Sequence, residues 1–206
     1  MKNSLQLIAF SIYFCLGLLS QSNAKADTIP YSVSGTGNHN LYSFTATSSG
    51  TIGAYFHGST AAYTDTLSLL VNGIITPESS SGLLNNHTSS IGDFVILGSV
   101  NAGDILTFQL NVLSTGGSWY SDKMLNSDGL QHTYSTPFSG DIANGIPSGT
   151  YVGFEDLYGG GDFDYDDEAF VFTNINISPV PEPESYIMLI VGLGLLVFTI
   201  RNRRMT

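Results

Sequence analysis

The chain has 206 residues and a formal net charge of −11, with 17 acidic and six basic residues. Five of the basic residues lie near the termini, and Lys123 is the only lysine or arginine between positions 27 and 184. So acidic a region repels nucleic acid and attracts divalent cations, which excludes nucleic acid as a partner. The single cysteine, Cys15, lies in the N-terminal segment, so the rest of the chain has no disulfide, thiolate metal site or catalytic cysteine.

Residues 1–26 have the pattern of a secretory signal peptide. Lys2 precedes an apolar run at 5–19, and the small residues of Ala24-Lys25-Ala26 suit signal peptidase. We expect cleavage before Asp27, with cleavage after Ala24 as an alternative. A retained membrane anchor is the other interpretation, but the apolar run is short for a membrane span.

Residues 28–114 contain short apolar or alternating runs broken by Gly, Ser, Thr and Asn, which is typical of strands. Asn72-Gly73 favours the positive φ values of a type I′ hairpin turn, and residues 101–104 indicate a second turn. The predicted strands are 41–46, 51–56, 66–71, 94–100 and 105–112.

Residues 114–149 are richer in Gly, Ser, Asn and Pro, and we expect them to form long loops of the same domain. Residues 151–154 and 169–177 are strand-like again, and a proline-containing linker follows from Ser178. The fold is therefore predicted to be all-β: an antiparallel β-sandwich over 27–178, jelly-roll-like or immunoglobulin-like.

An acidic segment lies between the last two strand-like runs. Asp162, Asp164 and Asp166 alternate, which would gather their oxygens on one side, and hard cations such as Ca²⁺ bind six to eight oxygens. The segment is not an EF-hand, because Asp167 stands where that loop needs Gly and Thr173 where it needs Glu. The alternative is a solvated acidic turn. Its carboxylates are Glu155, Asp156, Asp162, Asp164, Asp166, Asp167 and Glu168.

A family resemblance accompanies this segment. Gly153-Phe-Glu-Asp-Leu, a glycine-rich spacer and Asp162-Phe-Asp-Tyr-Asp-Asp-Glu-Ala-Phe-Val-Phe resemble the motif of DUF4114 domains of bacterial secreted proteins. The resemblance covers about 116–177 and implies an extracellular β-rich module, often adhesin-like or part of a matrix, without an established activity. Asp166 stands where Asn is common in the family. The acidic residues at matching positions are Glu155, Asp156, Asp162, Asp164, Asp166 and Asp167.

The tail, residues 179–206, resembles a PEP-CTERM sorting signal. It contains Pro181-Glu182-Pro183, an apolar run at 186–200 predicted to form a transmembrane helix, and three basic residues: Arg201, Arg203 and Arg204. The resemblance implies transient insertion in the inner membrane, cleavage by an exosortase, and release or attachment outside a Gram-negative bacterium that makes exopolysaccharide or biofilm matrix. The arginines would stay cytoplasmic. A permanent anchor without processing is the alternative.

Catalysis has weak support in the sequence. The four histidines show no paired zinc-ligand spacing, and the carboxylates are sequential, whereas a glycoside hydrolase usually takes its pair from separate strands. Trp119, Tyr120 and Tyr134 would stack on sugars in a carbohydrate-binding, lectin-like module, unless they pack in the core or loops. We therefore expect a non-enzymatic exported protein of the cell surface or exopolysaccharide matrix, stabilised by Ca²⁺, with the lectin-like module second and the glycoside hydrolase third.

Overall fold

The computed structural model describes residues 35–180 and 189–193. The predicted signal peptide at 1–26, the sorting motif Pro181-Glu182-Pro183 and the three C-terminal arginines lie outside the described residues. So does most of the predicted membrane segment at 186–200, of which residues 189–193 are helical. Within the described ranges, no helix has both the length and the apolar character needed to cross a membrane.

Eleven strands in the described part of the chain form two antiparallel sheets. The first sheet has the order β11-β1-β6-β3-β4, with β7 paired to β6, and the second has the order β5-β2-β10-β9-β8. Short 3-10 helices cover Pro77–Ser79, Lys123–Leu125 and Ile142–Asn144. The strands are β1 (Leu41–Ala46), β2 (Gly50–Gly58), β3 (Asp65–Val71), β4 (Ile74–Ile75), β5 (Phe94–Val100), β6 (Ile105–Val112), β7 (Gly117–Tyr120), β8 (Thr133–Phe138), β9 (Gly149–Phe154), β10 (Glu168–Thr173) and β11 (Ile175–Val180).

The two sheets share one hydrophobic core. Phe108 of β6 stacks on Phe172 of β10 with ring centroids 3.8 Å apart, and Phe44 of β1 meets Phe108 edge-on at 5.3 Å. Side chains alternate along a strand, so one face of each sheet supplies these rings. Each large side chain that is fully buried contributes about 1.5–3 kcal/mol, which matters in a domain without crosslinks.

The first half of the domain agrees with the predicted strands. Three of them coincide with β1, β5 and β6, and the other two lie within β2 and β3. The Asn72-Gly73 turn is confirmed, because φ is 50° at Asn72 and 82° at Gly73 and the hairpin pairs Val71 with Ile74. The second predicted turn is confirmed by the bond from Asp104 N to Asn101 O, at 3.1 Å.

The loops predicted for residues 114–149 are wrong in two places, because β7 and β8 lie there. The whole length of β8 pairs with β9, at the edge of the second sheet. Its sequence, Thr-Tyr-Ser-Thr-Pro-Phe, lacks a clear apolar alternation, since the polar Thr133 and Ser135 are buried along with Tyr134. The usual pattern of a half-buried strand is therefore missing.

The run predicted as one strand at 169–177 is two strands in different sheets. Asn174 adopts φ 62° between β10 and β11, and its side chain bonds the backbone of Ser48, which lets the chain pass from the second sheet to the first. The fold also extends beyond the predicted linker start at Ser178, because β11 pairs Pro179 with Tyr42. β11 is an edge strand, where proline is tolerated.

Candidate metal centre

The acidic segment is the connection between β9 and β10, which are paired directly from Phe154 and Glu168 onward. We call residues 155–167 the acidic loop. Its three successive glycines, 159–161, have φ values of 84°, 79° and 55°. Phe163 and Tyr165 have φ 58° as well, which is uncommon for bulky side chains and requires support from surrounding contacts.

Tyr165 provides one of these supports. Its side chain is buried, its backbone N donates to Glu155 Oε1 at 2.6 Å, and its hydroxyl accepts from Asn38 N at 2.6 Å. The loop backbone lies so close to β9 that a Cβ on Gly153 would collide with the carbonyl oxygen of Tyr165. The loop is therefore packed onto the sheet around Glu155 and Tyr165, while residues 157–159, 161 and 162 are exposed.

Trp119 holds the other side of the loop. Its Nε1 donates to Asp156 O at 2.6 Å, and its ring stacks on His132 with centroids 3.8 Å apart and planes 4° apart. The His132 ring in turn contacts Glu155 O through Nδ1 at 3.0 Å and Asp128 Oδ2 through Nε2 at 2.9 Å. The start of the acidic loop is thus fixed by a buried aromatic pair.

The β2–β3 connection holds the end of the loop. Thr60 N and Ala61 N donate to the carbonyls of Asp166 and Asp167, at 3.1 and 3.2 Å. Ser59 Oγ also donates to Asp167 O, and Thr60 Oγ1 donates to Asp166 Oδ1. The carboxylate of Asp166 therefore accepts from Thr60, although it also lies beside the carboxylate of Asp164.

Three of the predicted ligands converge. Ligand atoms of Glu155, Asp162 and Asp164 all lie within 4.8 Å of one another. Glu155 is fully buried, and its Oε2 has no hydrogen-bond partner, while Asp162 is exposed. A Cβ on Gly161 would lie 2.5 Å from that Oε2, so a glycine is needed beside it. We call these three residues the first acidic group.

The protonation of this group depends on its burial. Burial raises the pKa of Glu155 to about 8, and the charges of Asp167, Asp164 and Asp162 add to the rise, against a bond from Tyr165 N. Burial, followed by the contact with Asp166, raises the pKa of Asp164 to about 6. The ionised forms lack a compensating positive charge, and a divalent cation would supply it.

Two other predicted ligands, Asp156 and Asp167, lie in a different group. They accompany Asp65 of β3 and Glu168 of β10, which the ligand prediction did not include. Glu168 belongs to the acidic segment and could have been added from its sequence position. Asp65 could have been suspected because it shares the face of the buried Leu67 and Leu69 at the start of the third strand.

The aromatic residues proposed for sugar stacking are largely inside the domain. Trp119 and Tyr134 are each 6% exposed, and the Trp119 ring is already stacked on His132. Tyr120, on β7, is half-buried. Their burial argues against Trp119 and Tyr134 as a surface platform for a sugar.

Comparison with known families gave two matches. The model of the domain of unknown function DUF4114 matches residues 75–174, and the PEP-CTERM protein-sorting motif matches residues 179–204. The first match begins in β4, well before the predicted start at about 116, and includes the whole acidic loop but not Asp65. No curated protein and no solved structure matches the chain.

Proposed function

We propose that the chain, a PEP-CTERM sorting-signal protein with a DUF4114 domain, is exported as a substrate of exosortase and is a non-enzymatic protein of the cell surface or exopolysaccharide matrix. In this proposal its β-sandwich is stabilised by Ca²⁺ bound to the first acidic group. The sorting motif supports the export, and the first acidic group supports the ion.

The observation that carries the Ca²⁺ proposal is the buried, unpartnered Oε2 of Glu155 beside Asp162 and Asp164. An ionised carboxylate without a partner is costly to bury. Within the described residues the one ion pair joins His132 to Asp128, so no basic side chain neutralises the group. Ca²⁺ accepts irregular sets of six to eight oxygens, whereas Mg²⁺ demands a near-ideal octahedron, so an open carboxylate set with room for water favours Ca²⁺.

A structural role fits this group better than glycoside hydrolysis. Glycosidases keep their two carboxyl groups about 5–5.5 Å apart when retaining, and about 6.5–9.5 Å apart when inverting. Glu155, Asp162 and Asp164 are instead three acids of one loop with ligand atoms within 4.8 Å of one another, not a pair on facing strands, and Trp119 and Tyr134 are buried rather than lining a cleft. Release of oligosaccharides from the host's exopolysaccharide by the purified chain would overturn the non-enzymatic part of the proposal.

Replacing Asp162 should weaken Ca²⁺ binding without disturbing the fold. The Asp162 side chain is exposed, so Asp162→Asn removes a charged ligand but little packing. We expect at least a tenfold loss of affinity at the first acidic group, which corresponds to about 1.4 kcal/mol. Calorimetric titration of the detergent-purified chain with CaCl₂ measures this affinity.

Glu78→Gln, at an exposed acid in the first 3-10 helix, is the matched control and should bind Ca²⁺ as the unaltered chain does. Equal affinity in both variants would remove Asp162 from the site.

Processing of the tail can be tested by mass. If an exosortase cuts near Pro181-Glu182-Pro183, the exported form recovered from the host's surface or medium should lack the residues after that motif. Glu182→Ala should keep them and remain with the membrane fraction. Intact-mass spectrometry of both forms measures this. An exported form that ends at Thr206 would mean a permanent anchor, or no processing at all.

A further inference from the structure

Two acidic side chains face the space between the sheets at one end of the core. Asp65 is the first residue of β3, in the first sheet, and Glu168 is the first residue of β10, in the second. Alternation places Asp65 on the face of Leu67 and Leu69, and Glu168 on the face of Phe170 and Phe172. These four apolar side chains are fully buried in the shared core, so both carboxylates point into it.

None of the oxygens on these two carboxylates has a hydrogen-bond partner. Asp65 and Glu168 both have 0% exposure, and their four oxygens are buried without a donor. The backbone of Asp65 is satisfied through Asn86, whose Oδ1 accepts from Asp65 N at 2.9 Å, so only the carboxylate is left. Two ionised, unpaired acids at one end of a core would strongly destabilise the fold unless a positive charge lies between them or protons neutralise them.

Two further carboxylates adjoin this pair. The carboxyl of Asp156 lies close enough to that of Asp65 for the charge of Asp65 to raise the pKa of Asp156, and Asp156 N donates to Asp167 Oδ2 at 2.9 Å. Asp156 and Asp167 also line a cavity of about 620 Å³ together with Tyr63 and Asp162. The cavity gives an ion a route from solvent as far as Asp156 and Asp167, the two members of the set that adjoin the buried pair.

We propose that Asp65, Asp156, Asp167 and Glu168 form a second Ca²⁺ site, which joins the two sheets and the acidic loop through one ion. The four residues share no ligand with the first acidic group, so a substitution in one group leaves every ligand of the other in place. Every side-chain donor is a carboxylate oxygen, which is the chemistry of a hard divalent cation. We call these four residues the second acidic group.

The second site should be the weaker of the two. Among the described residues, only the first acidic group brings three side-chain ligand atoms within 4.8 Å. The second acidic group must close around its ion or complete the coordination shell with water. Proton sharing between the carboxyls of Asp65 and Asp156 is the competing way to satisfy this group, and it predicts no bound ion.

The number of bound ions tests the proposal. Titration calorimetry of the detergent-purified chain with CaCl₂ at pH 7.5 should give two ions per chain. Glu168→Gln and Asp65→Asn should each leave one, and Asp162→Asn should leave the second site filled. Both second-group variants should also melt higher than the unaltered chain in EDTA, because each replaces a buried acid that the ion-free fold must either keep protonated or leave ionised without a partner. Glu78→Gln should still bind two ions.

The outcomes separate the two sites. One ion in the unaltered chain, lost with Asp162→Asn and kept with Glu168→Gln and Asp65→Asn, overturns the second site and leaves the first standing. One ion in the unaltered chain that is lost with Glu168→Gln but kept with Asp162→Asn overturns the first site and leaves the second standing. No bound ion overturns both and favours the shared proton. If one of the two second-group variants fails to fold, the other decides, since they act from different sheets.

Discussion

Removal of Ca²⁺ at pH 7.5 is expected to lower the melting temperature of the chain by about 10–20 °C. At a free concentration one hundred times Kd, each bound ion contributes about 2.7 kcal/mol of folding stability. For a domain of this size, 1 kcal/mol corresponds to roughly 2–4 °C. Two ions give the stated range, and the first acidic group alone would give about half of it. Circular dichroism melts in 10 mM CaCl₂ and in EDTA, with MgCl₂ as the control cation, measure the difference.

The drop in melting temperature on removal of Ca²⁺ should nearly disappear at pH 5. Burial raises the pKa of Glu155 to about 8, of Glu168 to about 9 and of Asp65 to about 6, whereas these groups titrate near pH 4 in an unfolded chain. Between pH 4 and about 9, the ion-free folded state therefore holds more protons than the unfolded state, so its stability falls as pH rises. Protons satisfy the carboxylates at pH 5 and Ca²⁺ satisfies them at pH 7.5.

The melting curves should accordingly diverge with pH. In EDTA, the melting temperature should drop steadily from pH 5 to pH 8, and in CaCl₂ it should stay nearly level. Two parallel curves would contradict the linkage between burial, protonation and the ion. In Glu168→Gln, the slope in EDTA should be shallower, because the carboxyl with the highest pKa is gone.

The strands of the first half could be predicted because their apolar runs end at strong turn residues. Asn72-Gly73 is such a case, since this dipeptide favours the positive φ values that a type I′ turn requires and that the structure has. β8 could not, because its buried residues include Thr133 and Ser135. The break at Asn174 also escaped prediction, because one asparagine within an apolar run does not reveal that the chain changes sheets.

The acidic loop could be recognised as a possible cation site from the sequence, but its division into two groups could not. Glu155 meets Asp162 and Asp164 within one loop, so spacing along the chain was informative. Asp65 lies close enough to Glu168 to raise its pKa, although the two residues begin strands of different sheets. That proximity depends on strand order and register, and a single sequence contains no local signal for either.

Trp119 shows a different limit of sequence reasoning. An isolated tryptophan in a segment rich in glycine and serine resembles a surface platform. The structure instead places it against His132 and Asp156, where it supports the start of the acidic loop. A loss of polysaccharide binding in Trp119→Ala would therefore have two explanations, because unfolding of the domain would abolish binding just as the loss of a sugar site would. Tyr120, which is half-buried on the same strand, offers a fairer test of sugar binding.

Trp119→Ala is expected to destabilise the domain by about 3–5 kcal/mol, the usual cost of truncating a buried aromatic ring. The change removes the stack on His132 and the bond to Asp156 O, so it should also weaken Ca²⁺ binding by the acidic loop. Trp119→Phe keeps an aromatic ring but loses the hydrogen-bond donor, so its stability should lie between that of Trp119→Ala and that of the unaltered chain. Chemical denaturation and CaCl₂ titration measure both effects, with Tyr120→Ala as the neighbouring control. Unchanged stability in Trp119→Ala would mean that the acidic loop is held in place without this ring. The positions of its carboxylates would then depend on Tyr165 and the β2–β3 connection alone.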